Sequence, residues 1–183
     1  MRAYGQPRKH RPYEISDYDP AWKERFENYA ARLKPILGGN LISIEHMGST
    51  SIERMVAKPQ IDILVVVKDF DKIKDLYSQL RSGGFEPKGR EYVGIGDEYV
   101  TLDDERGKRL ASIHIFPEGH WSIEEERLWK RYLSSHKEER DLYSKTKREL
   151  FAKYKDDYEN YDTGKNTIIK EIKARAREWA NNS

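Results

Sequence analysis

HMGSTSIERMVAKPQIDILVVV, residues 46–67, is the stretch on which the fold turns. It begins at the end of LISIEHM, residues 41–47, where Ile42, Ile44 and His46 alternate with Leu41, Ser43, Glu45 and Met47. That period of two predicts a strand. Gly48-Ser49-Thr50-Ser51 breaks it, residues 52–57 are expected to form a short helix, and Lys58-Pro59 stops that helix because the residue before proline avoids the α region. IDILVVV, residues 61–67, is then a near-continuous apolar run, the pattern of a central strand covered on both faces. Asp62 is its only charge. A carboxylate in such a strand costs several kcal/mol unless it is paired, hydrogen-bonded or on a metal. It is therefore either a structural ion-pair partner or a group facing a cleft. The glycine before Ser49 permits a sharp turn, and N–H groups at such a turn can hold a phosphate.

Outward from this block, Asp19-Pro20 has the form of a helix start, and Trp22, Phe26, Tyr29 and Leu33 give one apolar stripe, ended by Pro35 and Gly38-Gly39. Residues 69–82 read as a helix stopped by Gly83-Gly84. Residues 91–102 and 108–116 read as a hairpin around Asp103 to Gly107. Helices are predicted over about 122–134, with Ser122 and Glu125 at capping-box spacing, then 138–155 and 165–180. The chain thus reads as α/β (α+β): a mixed sheet with flanking helices over about 13–118, and a helical part over about 119–183. Residues 13–183 form one domain, preceded by a basic, flexible tail over 1–12.

Of the 183 residues, 36% are charged, yet the net charge is only +2. The signs are interspersed, so a nucleic-acid partner is not favoured. There is no cysteine, which excludes disulfides and thiolate chemistry. No run of about 18 apolar residues and no signal-peptide pattern occurs, so no membrane association is expected and a cytoplasmic location is. The oligomeric state stays open.

Three sites combine: the Gly48-Ser49 turn, Asp62 on the apolar strand, and His114 in SIHIF, whose side chain points opposite to Ile113 and Ile115. This layout resembles the nucleotidyltransferase superfamily. Residues 46–63 resemble the signature of the GrpB family, His-x-Gly-Ser-Thr-Ser-Val-Pro-Gly-Leu-x-x-Lys-Pro-x-Ile-Asp-Ile, with Glu53, Arg54 and Met55 in place of Pro-Gly-Leu. IHIFPEGH (113–120), WKRYLSSHKEERDLYSKTKREL (129–150) and YDTGKNTIIKEI (161–172) resemble later segments of that family, with Tyr161 and Lys165 at matching places.

The resemblance implies a nucleotidyltransferase-like mixed sheet and a nucleotide or phosphorylated small molecule as ligand. A related domain is joined to dephospho-CoA kinase in some bacteria. The implied phosphate-binding residues are Gly48, Ser49, Thr50, Ser51, Lys58, Arg90 and Lys165. Asp62 and His114 are the candidate catalytic residues, and with His46 or Glu45 they are candidate metal ligands. Where the superfamily has Asp-x-Asp, Leu64 replaces the second acid. A divalent metal would then be Mg²⁺ or Mn²⁺, or Zn²⁺ or Ni²⁺ if histidine ligates it. Three readings stand: metal-dependent nucleotidyl or phosphoryl transfer from a nucleoside triphosphate to an unknown acceptor, a catalytically degenerate ligand-binding module, and a scaffold or partner-binding protein. Trp121 is expected in core packing or helix entry rather than base stacking. Trp129, Tyr132, Tyr143, Tyr154 and Trp179 are expected in the core.

Overall fold

The computed structural model describes residues 13–182. The basic segment 1–12 lies outside them. The elements are α1 (Ala21–Leu37), β1 (Leu41–Met47), β2 (Ile61–Val67), α2 (Tyr77–Ser82), β3 (Glu86–Gly89), β4 (Glu98–Asp103), β5 (Arg109–Pro117), α3 (Trp121–Ser135), α4 (Lys137–Lys153) and α5 (Tyr158–Asn181). The strands make one sheet in the order β1-β2-β5-β4-β3. β2 and β5 run parallel and the other neighbours antiparallel. The expected mixed sheet with flanking helices is the observed one.

The period of two gives the sheet two unlike faces. Ile61, Ile63, Val65 and Val67 share one face with Ala111, Ile113, Ile115, Val100 and Leu102, and pack on Trp22, Phe26, Ala30, Leu33 and Leu37 of α1. Each such buried side chain contributes about 1.5–3 kcal/mol. The opposite face pairs Asp62 with Ser112, Leu64 with His114 and Val66 with Phe116. Its apolar end is closed by Met47 and Ile123. Its polar end, at Asp62, Ser112 and His114, is left to a cleft under α3, α4 and α5. Among the described residues no helix is long and apolar enough to cross a membrane.

The structure departs from the sequence reading at several places. α1 continues through Pro35 to Leu37 and ends at Gly38, whose φ is 50°. Residues 52–57 are not helical; a single 3₁₀ turn, Ser49–Ser51, precedes them. Ile52 and Met55 are drawn into a second core with Trp129, Tyr132, Leu133, Tyr143, Ile172 and Ala176. The backbone there bonds elsewhere: Val56 N donates to Ser144 Oγ at 3.2 Å, and Ala57 bridges Ser16. Residues 90–97 turn rather than extend, with Gly94 and Gly96 at φ 79° and 84°, so β4 starts only at Glu98. α3 is capped not by Ser122 but by His120, whose Nδ1 accepts from Ser122 N at 3.3 Å. α5 starts at Tyr158, seven residues before its expected start, because Asp157 caps it by accepting from Asn160 N at 3.1 Å. α4 and α5 approach closely at Gly164, where a Cβ would stand 2.6 Å from Leu150 Cδ2.

Gly48 adopts φ 68°, ψ −174°, a region essentially confined to glycine. A Cβ there would also overlap the Asp62 carboxyl. Gly48→Ala is expected to lower unfolding free energy by about 1–3 kcal/mol in a urea titration. An unchanged midpoint would mean that the turn is not held in this conformation.

Candidate functional site

The cleft has a volume of about 610 Å³ and lies between the polar end of the sheet and the three late helices. Its floor is the Gly48-Ser49 turn, Asp62, Ser112 and His114. Burial pushes the Asp62 carboxyl up from its ordinary value, opposed by the charges of His114, Lys58 and Lys165. His114 Nδ1 stands 2.6 Å from Asp97 Oδ2. Burial pushes the His114 imidazole down, but the hydrogen bond to Asp97 and the charges of Asp97 and Asp62 outweigh it, and its pKa is raised. Asp97 is fully buried, and its Oδ1 has no hydrogen-bond partner.

One wall is basic and phenolic. Lys58 Nζ donates to Tyr158 Oη at 3.3 Å and lies 5.1 Å from the centre of that ring. Lys165 Nζ is 2.9 Å from Asp162 Oδ1. Burial lowers the Lys165 pKa, but Tyr143, Asp162 and Tyr158 raise it by more, so the ammonium persists. Burial likewise raises the Tyr158 phenol, yet Lys58 and Lys165 bring its pKa below the ordinary value. Lys147, only 2% exposed, donates to the Val56 carbonyl, stands 3.0 Å from Ser49 Oγ and lies 4.1 Å from the centre of the Tyr143 ring. The opposite rim carries Tyr92, Ile95 and Trp121, the last 62% exposed at the first position of α3. Trp121 is thus at the helix entry and not in the core. Along α3, Ser122 Oγ and Trp129 Nε1 are buried without a hydrogen-bond partner.

Asp62, His114, Gly48, Ser49, Thr50, Lys58 and Lys165 therefore line one cleft. The remaining sequence candidates are placed otherwise. Ser51 does not line it; its Oγ donates to Gly48 O at 2.7 Å and closes the turn. Thr50 Oγ1 bonds His46 Nε2 at 2.9 Å and Gln60 O at 3.4 Å. Arg90 lies outside the lining: its guanidinium bonds Glu98, Asp71 and the Phe70 carbonyl at 2.9–3.1 Å. His46 is on the wrong face for a ligand set with Asp62. It pairs with Ile63, stacks on Phe26 at 4.9 Å, and burial with the Lys130 charge lowers its pKa to about 4. Glu45 is held by Arg127. Among the described residues no group of three or more His, Cys, Asp or Glu side chains is arranged to hold a metal ion. With Leu64 in the second acid's place, the donors do not fit a two-metal carboxylate centre.

Sequence reasoning missed Asp97 and Lys147. A signal for Lys147 was present: Tyr143-x-x-x-Lys147 and Tyr161-x-x-x-Lys165 repeat one spacing, which puts phenol and amine on one helical face. Asp97 carries no comparable signal, because its partner is brought in by strand pairing.

Sheet, cleft and helical layer together define an α+β protein with a cleft lined by lysines, tyrosines and carboxylates. The GrpB protein family matches residues 12–175. The chain is 33% identical over 169 residues to the UPF0157 protein YqkA of Bacillus subtilis, a match covering 92% of this chain and 48% of YqkA. The chain thus spans about half of that relative's length. It is 32% identical over 162 residues to the UPF0157 protein SCO7215 of Streptomyces coelicolor, covering 88% of this chain and 83% of the other. The crystal structure of conserved protein GrpB from Enterococcus faecalis superposes with a TM-score of 0.83 at 31% identity, over 91% of this chain and 99% of that one. The chain belongs to the GrpB family.

The raised pKa of His114 makes its pair with Asp97 a pH-dependent source of stability. The contribution is fully present below the ordinary histidine value, about 6.5, and is lost as pH rises through the raised one. Asp97→Asn is expected to lower the His114 pKa in an NMR titration and to destabilise by about 1–3 kcal/mol near pH 6, with a gap that narrows at alkaline pH. An equal loss at every pH would assign the effect to packing.

Proposed function

We propose that this GrpB-family chain binds a nucleotide or another phosphorylated small molecule in the cleft, with its phosphates against the Gly48-Ser49 turn and between Lys58 and Lys165. The observation that carries this is convergence. Lys58, from the loop before β2, and Lys165, on α5, reach one concave site whose floor is a glycine-permitted turn. Lysines placed this way act as point charges for phosphate. Their position inside a cavity, and not along a surface stripe, favours a small molecule over nucleic acid.

A second reading is transfer of a nucleotidyl or phosphoryl group to a small acceptor. It is favoured by the Asp97–His114 pair beside Asp62, since a histidine held by a buried acid can move a proton at its other nitrogen.

Calorimetric titration with pyrophosphate and with nucleoside di- and triphosphates tests the reading. Lys58→Ala and Lys165→Met are each expected to weaken binding about 10–100-fold, the range of a charged hydrogen bond. Binding unaffected by either substitution, or no binding of any phosphorylated compound, would sink it.

A further inference from the structure

Lys147 is an amine carried into a nearly water-free position on α4, where burial and the charges of Lys165 and Arg148 hold it well below the usual lysine range. One N–H is given to the Val56 carbonyl, and the ring of Tyr143 lies under it. A second hydrogen bond joins the Lys147 nitrogen to Ser49 Oγ at 3.0 Å, and Tyr143 also hydrogen-bonds that serine. Ser49 is on the cleft floor directly after Gly48. A hydroxyl within about 2.6–3.2 Å of a base that a third group orients is the signature of an activated nucleophile.

We infer that Ser49 is a nucleophile, Lys147 its base and Val56 O with Tyr143 the groups that orient that base, so that the cleft reacts with phosphorus electrophiles through a seryl intermediate. This rests on the phosphate reading above for the class of electrophile, and it assigns Ser49 a bond-forming role beyond holding an anion. In the first step Ser49 Oγ bonds to phosphorus while its proton passes to the neutral Lys147 amine. The bond from phosphorus to the leaving oxygen breaks, and that oxygen takes the proton back from the Lys147 ammonium. In the second step an acceptor hydroxyl or water gives its proton to Lys147 and bonds to phosphorus as the bond to Ser49 Oγ breaks, and Ser49 Oγ takes that proton from the Lys147 ammonium, restoring both residues. No electrons are exchanged with another molecule, and no metal enters.

The test is labelling by a fluorophosphonate, in which Ser49 Oγ would replace fluoride on phosphorus, followed by peptide mass mapping. Wild type is expected to be labelled at Ser49, and Ser49→Ala to be unlabelled. Lys147→Met and Lys147→Arg are expected to be slower by at least about 100-fold, the scale of general-base catalysis. Arginine keeps a hydrogen-bond donor at this position but holds its proton, so it separates a base from an anchor.

Should both variants fail to fold, the wild-type pH profile decides. Around the pair stand Lys165 and Asp162 of α5, Arg148 of α4 and Asp62 of the sheet. The rate is expected to level off well below the ordinary lysine pKa of about 10.4. A rate that climbs in proportion to hydroxide up to that value overturns the proposal, as does wild type unlabelled at Ser49 or Lys147→Arg labelled at the wild-type rate. Pyrophosphate is expected to slow labelling. Labelling of Ser49 that ignores pyrophosphate leaves the nucleophile standing and removes the phosphate reading instead.

Discussion

The segment between β1 and β2 is held from two sides, and everything in the cleft depends on that grip. Ile52 and Met55 are buried among the side chains of α3, α4 and α5. Val56 gives its N–H to Ser144 Oγ and its carbonyl to Lys147. Ala57 is stitched to Ser16 by two backbone hydrogen bonds of 2.9 and 3.0 Å. Gly48, Ser49 and Lys58 flank this anchored stretch, so their positions are set jointly by the sheet and by the helical layer. Neither layer alone makes the site. A buried polar group that lacked these partners would cost about 1–3 kcal/mol, which gives the segment little freedom to relax.

The cleft also gathers opposite charges in a place poor in water. Asp62 and His114 share the cleft with amines and phenols of the wall. In such surroundings each charge is felt more strongly than in solvent. The same burial moves neighbours in opposite senses: Asp62 is pushed up, Lys147 is pushed down, and Lys165 stays charged because Tyr143, Asp162 and Tyr158 outweigh its burial. Similar residue types thus end with different protonation habits, and their chemistry divides accordingly.

Much of the fold could be read from periodicity. β1 and β2 coincide with the predicted segments because one alternates and the other is apolar on both sides of the sheet. The block at 46–63 led to the family. The failures have physical causes. The 52–57 segment has helical composition but gives its backbone bonds to α4 and to Ser16. The 91–97 stretch lost its strand to two left-handed glycines. His46 follows Ile44 by two residues and pairs with Ile63, and that register puts it on the face opposite Asp62. Lys147 and Asp97 are different. Each meets its partner across a long sequence distance, and only the packed structure brings them together.

Gly164 sits one residue before Lys165 and faces Leu150, three residues after Lys147. The missing side chain lets two helices touch almost backbone to side chain, and so it works as a calliper for the gap between two amines on different helices. A larger residue there would press on the tip of Leu150, which must turn aside or push the two helices, and the amines they carry, apart. The spacing of the two amines is thereby written into a position outside the cleft lining.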